Sequence, residues 1–258
     1  MRAAWQPSEA WLDDRHGRLI DSVRVDFQAR RLAWVPLDQI APAVRDTIVA
    51  AEDRRFASHG GIDWLALASA VRARIEGRRS RGASTLSMQV AAFLSPTLAA
   101  PGARGWRDKL RQMRAGRALE SRWTKDQILE AYLNRAGFRG EAQGIGAAAL
   151  TLFGKTPDAL GQQDALLLAA LLPDPRAAPA AVARRASAIA RTVGSAQPCP
   201  ALAVAAADML GPARAVALDP GLAPHLAARL LTRPGMRVAT TLDARTQAIA
   251  ATALRRQL

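Results

Sequence analysis

The chain has 258 residues, of which half are hydrophobic and 5% aromatic, and its 36 lysines and arginines outnumber its 22 acidic residues. This length fits one large domain or one domain with an appendage, and a composition rich in alanine and leucine favours helices over strands. Cys199 is the single cysteine, which excludes an internal disulfide and a zinc cluster.

The net charge of +14 can be explained in two ways, and the sequence favours neither over the other. It fits an anionic partner, namely nucleic acid, a phospholipid surface or a phosphate-bearing substrate. It also fits a genome-wide preference for arginine, which says nothing about function. No run of about 20 apolar residues predicts a membrane-spanning helix, and the first residues contain no apolar signal core.

Residues 1–35 are predicted to form a β-rich extension. The segment from Leu19 to Phe27 alternates imperfectly between apolar and polar residues, which predicts a small hairpin with His16 in an exposed turn. From Pro36 onward, apolar residues at helical spacing predict a helix over residues 36–51, with proline in its first turn.

The stretch from Ala51 to Asp63 combines two carboxylates, two arginines, an aromatic residue and a histidine. Asp63 is a good N-cap for a second helix over residues 63–77, so the charges lie between two helices. Unpaired charges are costly to bury, but a carboxylate can accept a proton and arginines can hold an anion. The alternative is a helix C-terminus whose charges are simply solvated.

Residues 82–85 form a Gly-Ala-Ser-Thr turn before a predicted helix, Leu86 to Leu94. Hydroxyl groups and free N–H groups at a helix start suit an anion, and the alternative is that Ser84 only caps the helix. Residues 96–105 are predicted to form a mobile flap. A basic helix follows from Trp106 to about Trp123.

Thr124 and Gln127 form a capping box for a helix that ends at Asn134. Residues 162–172 are predicted to form a buried helix, and the rest of the chain reads as helical segments with one strand-like piece at residues 236–243. The glycines at 144 and 146 imitate a dinucleotide fingerprint, but no strand precedes them. No serine is followed three residues later by lysine, which excludes a penicillin-binding acyltransferase in this chain.

Four of these stretches, taken together and in order, resemble the peptidoglycan glycosyltransferase domain of class A penicillin-binding proteins, glycosyltransferase family 51, and most of all the penicillin-binding protein 1C type. The first motif is met by Glu52, Asp53, Phe56, His59 and Gly61. The second is met by Gly82, Ser84, Thr85, Leu86 and Gln89, with Met88 as the 1C type allows. The fourth is met by residues 124–134 and the fifth by residues 144–155. The resemblance covers residues 36–195.

The third motif departs from the family pattern. Lys109 keeps the lysine, but the position of the second active-site glutamate is Gln112. Glu120, eight residues further on, is not expected to replace it. The family associates that glutamate with a divalent metal, so the resemblance implies that Mg²⁺ or Mn²⁺ acts weakly here, and no metal ligand is assigned.

The resemblance implies a mainly α, lysozyme-like, two-lobed domain over residues 36–215 with a small N-terminal β element. Residues 216–258 would be a linker and the truncated start of a transpeptidase region without transpeptidase activity. The implied substrates are lipid II and undecaprenyl-linked glycan, used at the outer face of the bacterial cytoplasmic membrane against an anionic membrane surface. Nucleic acid is not expected, because the basic helix has no interleaved aromatic residues.

The resemblance also implies roles for individual residues. Glu52 would be the catalytic base, with Gln112 at the second catalytic position. The implied substrate-binding residues are Asp53, Arg55, Phe56, His59, Ser84, Thr85, Gln89, Lys109, Arg111, Asn134 and Lys155. Two alternatives stay open: a degenerate copy that binds lipid-linked glycan without catalysis, and a lysozyme-like hydrolase.

Overall fold

The computed structural model of the protein describes residues 2–78, 83–95, 98, 106–211 and 220–257. In that part of the chain, helices α1 to α11 run in order over Pro42–Glu52, Trp64–Ile75, Leu86–Leu94, Trp106–Glu120, Lys125–Arg135, Ile145–Ala148, Gln162–Leu171, Pro179–Thr192, Cys199–Met209, Pro224–Leu230 and Ala244–Gln257. Strands β1 to β5 are Glu9–Asp13, Leu19–Arg24, Arg30–Arg31, Ala142–Gln143 and Arg237–Ala239. The prediction of a mainly α fold with a small N-terminal β element is confirmed.

The main core is formed by buried side chains of α1, α3 and α5 to α9. Within it, α7 packs against α1 and α8, and α9 packs against α8. Helix α7 lies at its centre, since Leu166, Leu167 and Leu168 are almost completely inaccessible to solvent. A helix that is apolar on all sides must be covered on all sides, so the predicted buried helix is confirmed. The core holds the end of α1 in a fixed position, and the candidate site begins there.

Helix α3 packs against α4 and α5. By contrast, α2 has no buried residue along its whole length, although most of its residues are apolar. The predicted flap at residues 96–105 lies outside the described residues except for position 98, as does Gly82 of the second motif.

The two ends of the chain form one unit. Strands β1 and β2 make the predicted hairpin, with His16 in its exposed turn, and β5 pairs in parallel with the free edge of β1. A second apolar core lies between them, made of Ala10, Leu12, Ile20, Ala223, Ala227 and Leu231. This pairing satisfies the N–H and C=O groups on the edge of β1. The predicted domain boundaries at residues 35 and 215 stay a prediction.

Candidate active site

A cleft of about 520 Å³ opens where α1 ends. Its walls come from the end of α1, the loop that follows, the first turns of α2 and the turn before α3. Five of the predicted site residues line it: Glu52, Asp53, Arg55, Ser84 and Thr85. The structure thus brings the first and second motifs together around one cavity.

Glu52 is the last residue of α1, and its carboxylate accepts a hydrogen bond from Gln89 Nε2 at 3.1 Å. Burial raises the pKa of Glu52, the negative charge of Asp53 raises it further, and the bond from Gln89 opposes this shift. Burial likewise raises the pKa of the Tyr132 phenol, and the charge of Glu52 adds to the effect. A carboxylate that is costly to ionise accepts a proton readily, which suits a general base.

Asp53 joins the end of α1 to the start of α3. Its carboxylate accepts a hydrogen bond from the Leu86 N–H at 3.0 Å and another from His59 Nε2 at 2.9 Å. The Gly61 N–H donates to His59 Nδ1 at 3.1 Å, so in the neutral ring the proton lies on Nε2. The side chains of Asp53 and His59 are buried and form hydrogen bonds with each other and with the backbone. They therefore position the neighbouring Glu52.

Lys125, at the start of α5, holds the same loop from the other side. Its Nζ donates to the His59 carbonyl oxygen and to Glu120, both at 2.6 Å, and lies 4.5 Å from the centre of the Phe56 ring. The Ser87 hydroxyl donates to Glu120 as well. Glu120 is therefore committed to this network, in agreement with the expectation that it does not replace the missing glutamate. Sequence reasoning gave no role to Lys125, although it belongs to the fourth motif.

Thr85 caps α3, so the alternative in which Ser84 is the cap is wrong. The Thr85 hydroxyl accepts from the Met88 N–H at 3.2 Å and donates to the Gly61 carbonyl oxygen at 2.8 Å. Gly61 has φ +90°, and a Cβ atom there would lie 2.7 Å from the backbone of Gly116. The glycine of the first motif is thus required by the crossing of this loop over α4.

The two arginines of the first motif, Arg54 and Arg55, differ in their ion pairs. Arg55 forms a two-bonded ion pair with Asp63, which also caps α2 by accepting from the Ala66 N–H at 2.9 Å. Burial opposes ionisation of Asp63, but the bonds from Arg55 and Ala66 hold its pKa below its usual range. Arg54 is exposed at the mouth of the cleft and has no ion pair with any described residue. Sequence reasoning noted Arg54 beside Glu52 but gave it no role in binding.

Helix α4 brings one of its predicted residues to the cleft. Lys109 is half-buried, and its Nζ donates to the Ser84 hydroxyl. Gln112 lies one turn further along the same face and is 6% exposed, yet it does not occur among the described residues that line the cleft. Arg111 points to solvent and pairs only locally, with Asp108 at 3.4 Å.

Two predicted binding residues lie elsewhere. Lys155 pairs with Asp164 at 2.6 Å at the start of α7 and is absent from the described lining of the cleft. Asn134 is buried, and its amide exchanges two hydrogen bonds of 2.8 Å with the backbone of Val35. Its Nδ2 donates a further hydrogen bond to the Glu130 carbonyl oxygen at 2.9 Å. Asn134 therefore fixes the segment that leads into the helical domain.

The residues present do not fit a divalent metal. Hard cations need several anionic oxygen ligands. Among the described residues, no group of three His, Cys, Asp or Glu side chains could hold a metal ion. Glu52 has the neutral amide of Gln89 as its hydrogen-bond partner, and Gln112 is neutral too.

The model of the transglycosylase family matches residues 16–194, which include all the residues described around the cleft. This chain belongs to the transglycosylase family. The match ends before α9. Of the sheet formed by β1, β2 and β5, it therefore covers β2 only.

Several relatives of this transglycosylase are biosynthetic peptidoglycan transglycosylases. The one from Rhodospirillum centenum is 46% identical over 145 residues, which are 55% of this chain and 60% of that protein. The one from Pasteurella multocida is 41% identical over 142 residues, 55% of this chain and 56% of that protein. The one from Mannheimia succiniciproducens is 35% identical over 170 residues, 66% and 67% of the two chains. The chain thus spans somewhat more than half the length of the first two.

Penicillin-binding protein 1A from Haemophilus influenzae is a solved structure with a TM-score of 0.40 and 16% identity, covering 97% of this chain and 29% of that one. No helix in the described part of the transglycosylase combines the length and the apolar character needed to cross a bilayer. Beside the cleft, α2 exposes an apolar face that includes Trp64 at 60%, Leu65 at 68% and Ile75 at 81%.

Proposed function

We propose that this transglycosylase is a peptidoglycan glycosyltransferase that polymerises lipid II into glycan strands. The observation that carries the proposal is the half-buried carboxylate of Glu52, whose pKa is raised, at the wall of a cleft that is also lined by arginines and hydroxyl groups. The other two carboxylates of that wall are already bonded, Asp53 to His59 and Asp63 to Arg55. One base and several anion-binding groups are what transfer from a lipid pyrophosphate requires.

In the proposed reaction, Glu52 takes the proton of the acceptor 4-hydroxyl as its oxygen attacks the anomeric carbon of the donor. The bond from that carbon to the pyrophosphate breaks, and inversion follows from attack on the opposite face. The leaving undecaprenyl pyrophosphate carries its own negative charge away, so it needs neutralisation rather than a proton. In this proposal the Lys109 ammonium supplies the neutralising charge and the Ser84 hydroxyl, to which Lys109 donates at the wall of the cleft, adds a hydrogen bond.

The remaining predicted residues act indirectly in this proposal. Asp53, Phe56 and His59 hold the loop that follows Glu52, Thr85 fixes the start of α3, and Gln89 orients the base. Arg55 is paired with Asp63 and shapes the mouth of the cleft. Arg111, Asn134 and Lys155 have no substrate contact in this mechanism.

The proposed partner of the exposed face of α2 is the membrane that holds the lipid substrate. An apolar helix face beside a basic surface suits the boundary of an anionic bilayer. The outer face of the cytoplasmic membrane is the side that the family resemblance implies, and we propose it as the location of the reaction. The assignment to the penicillin-binding protein 1C type rests on Met88 and stays a prediction.

A second candidate is a copy that binds lipid-linked glycan without joining it. Gln112 favours this candidate, because the family's second active-site carboxylate is missing at that position. In a lysozyme-like hydrolase, the third candidate, the same base would activate water and shorten existing glycan.

The deciding experiment is incubation of the purified chain with labelled lipid II, followed by separation of the products by size. The proposal expects polymer from the wild type. Glu52→Gln should lower polymerisation by about 10²–10⁴-fold, the usual contribution of a general base, while lipid II still binds. Binding without polymer in the wild type would support the second candidate, and shortened glycan the third. Equal turnover by Glu52→Gln would remove Glu52 from the mechanism.

A further inference from the structure

A second cavity, of about 640 Å³, lies along α1 next to the cleft. One wall is the face of α1 that carries Asp46, Thr47 and Ala50, and the opposite wall is formed by Gln162 and the loop of residues 192–198 between α8 and α9. Arg54 lines both cavities. The two spaces are therefore adjacent, with one arginine side chain at their common border.

The lining of the second cavity includes one carboxylate, that of Asp46, and one guanidinium, that of Arg54. Asp46 and Arg54 are exposed, and neither side chain has a hydrogen bond or an ion pair with any other residue in the described part of the chain. Asp46 precedes Glu52 by six residues on α1, or roughly 9 Å along the helix axis. An extended ligand that reaches from the cleft into this cavity would place a cationic group at Asp46 and an anionic group at Arg54.

The space between the two charges is lined by neutral hydrogen-bonding groups. Gln162 donates to the Thr47 hydroxyl at 3.1 Å, and the opposite loop contributes the hydroxyls of Thr192 and Ser195 and the amide of Gln197. Such a lining does not suit a lipid chain, which needs apolar walls, or a polyanion, which needs several cations. It suits the alternating N–H and C=O groups of a short peptide that carries both an ammonium and a carboxylate.

We propose that this cavity binds the peptide portion of the glycan substrate, with its side-chain ammonium at Asp46 and a carboxylate at Arg54. The identity of the peptide rests on the proposed function, since lipid II carries a peptide on the sugar that occupies the cleft. The border position of Arg54 lets sugar and peptide bind together, and the peptide then helps to hold the reacting sugar beside Glu52.

The test uses soluble ligands, so that binding is measured without transfer. The probes are a disaccharide bearing a lysine-containing pentapeptide, the same compound with the lysine acetylated, and the disaccharide without peptide. None of them has a pyrophosphate leaving group. Calorimetric titration of the full chain should give about tenfold tighter binding of the free-lysine compound than of either control, the effect of one charge-assisted hydrogen bond.

Asp46→Asn should remove that tenfold advantage, and acetylation of the ligand should then have no further effect, because both changes delete the same contact. Asp38→Asn is the matched control, since it removes an exposed carboxylate outside both cavities. Equal affinity for the three probes, or equal losses in the two variants, would overturn the inference. If the chain polymerises lipid II but binds the three probes with equal affinity, only the peptide site is refuted. If it binds the free-lysine probe more tightly than the controls but makes no polymer, only the proposed function is refuted.

Discussion

Replacing Lys125 by methionine tests whether the network behind the cleft holds the loop that follows Glu52. The Lys125 ammonium contacts the His59 carbonyl oxygen, the Glu120 carboxylate and the face of Phe56. Methionine is one atom shorter than lysine, keeps an unbranched apolar side chain and removes the charge. Glu120, whose side chain is 9% exposed, would keep only the hydrogen bond from Ser87 and would become a buried anion without a counter-ion.

The expected loss follows from these contacts. Removing one partner of a buried ion pair costs about 3–5 kcal/mol. Lys125 is 30% exposed, so water can partly replace it and the lower end of that range applies, with the lost ring contact adding about 0.5–1 kcal/mol. A loss of about 3.5–4 kcal/mol should lower the Tm of a chain of this size by roughly 7–16 °C.

Thermal and urea unfolding would measure the loss in Lys125→Met, in Glu120→Gln and in the double variant. The double variant should be more stable than Lys125→Met, because a neutral amide can still accept the hydrogen bond from Ser87 without a buried charge. Arg111→Met is the control, since its exposed pair with Asp108 is worth at most about 1 kcal/mol. Equal stability of Lys125→Met and the control, or no recovery in the double variant, would refute the reasoning.

Three further predictions concern the cleft. Because burial raises the pKa of Glu52 above its ordinary value of 4.5, polymerisation should fall as the pH drops through this raised pKa. A pH–rate profile would measure this fall. The same raised pKa means that the ionised carboxylate destabilises the folded protein at pH 7, so Glu52→Gln should raise the Tm at pH 7 in a thermal scan. Lys109→Ala should weaken binding of lipid II, because Lys109 contacts Ser84 at the cleft. Lys155→Ala should lower the stability by removing the ion pair with Asp164 and should leave the affinity for lipid II unchanged. The reverse pattern in titrations would show that Lys155, and not Lys109, binds the substrate. A chelator should leave polymerisation by the wild type unchanged, and polymerisation by Gln112→Glu should respond to added Mg²⁺. Strong inhibition of the wild type by the chelator would show that other side chains bind a metal.

The sequence by itself determined the elements whose signals are local. The capping box of α5 is present, with Thr124 Oγ1 accepting from the Gln127 N–H at 3.2 Å and Gln127 Oε1 accepting from the Thr124 N–H at 3.0 Å. Asp63 caps α2 as predicted. The continuous apolar run of α7 already required a central position in the core. Caps and periodicity act over three or four residues, so they can be read without knowing the fold.

The order of motifs along the chain also identified the residues that surround the cleft, but it did not separate those that face the cavity from those that build its walls. Glu52 and His59 belong to one motif, and only the structure shows that His59 turns inward to Asp53 and Gly61. The reason is that a motif records which residues occur together, whereas the direction of each side chain depends on the helices packed around it.

Only the tertiary structure decided the contacts between distant parts of the chain. The amide of Asn134 binds Val35, which is 99 residues away, and Lys155 finds its partner in Asp164 instead of in the cleft. Strand β5 pairs with β1 across more than 200 residues, which joins two segments that sequence reasoning had kept apart. Each of these choices depends on which surfaces the folded helices bring within hydrogen-bonding distance, and no local pattern of residues contains that information.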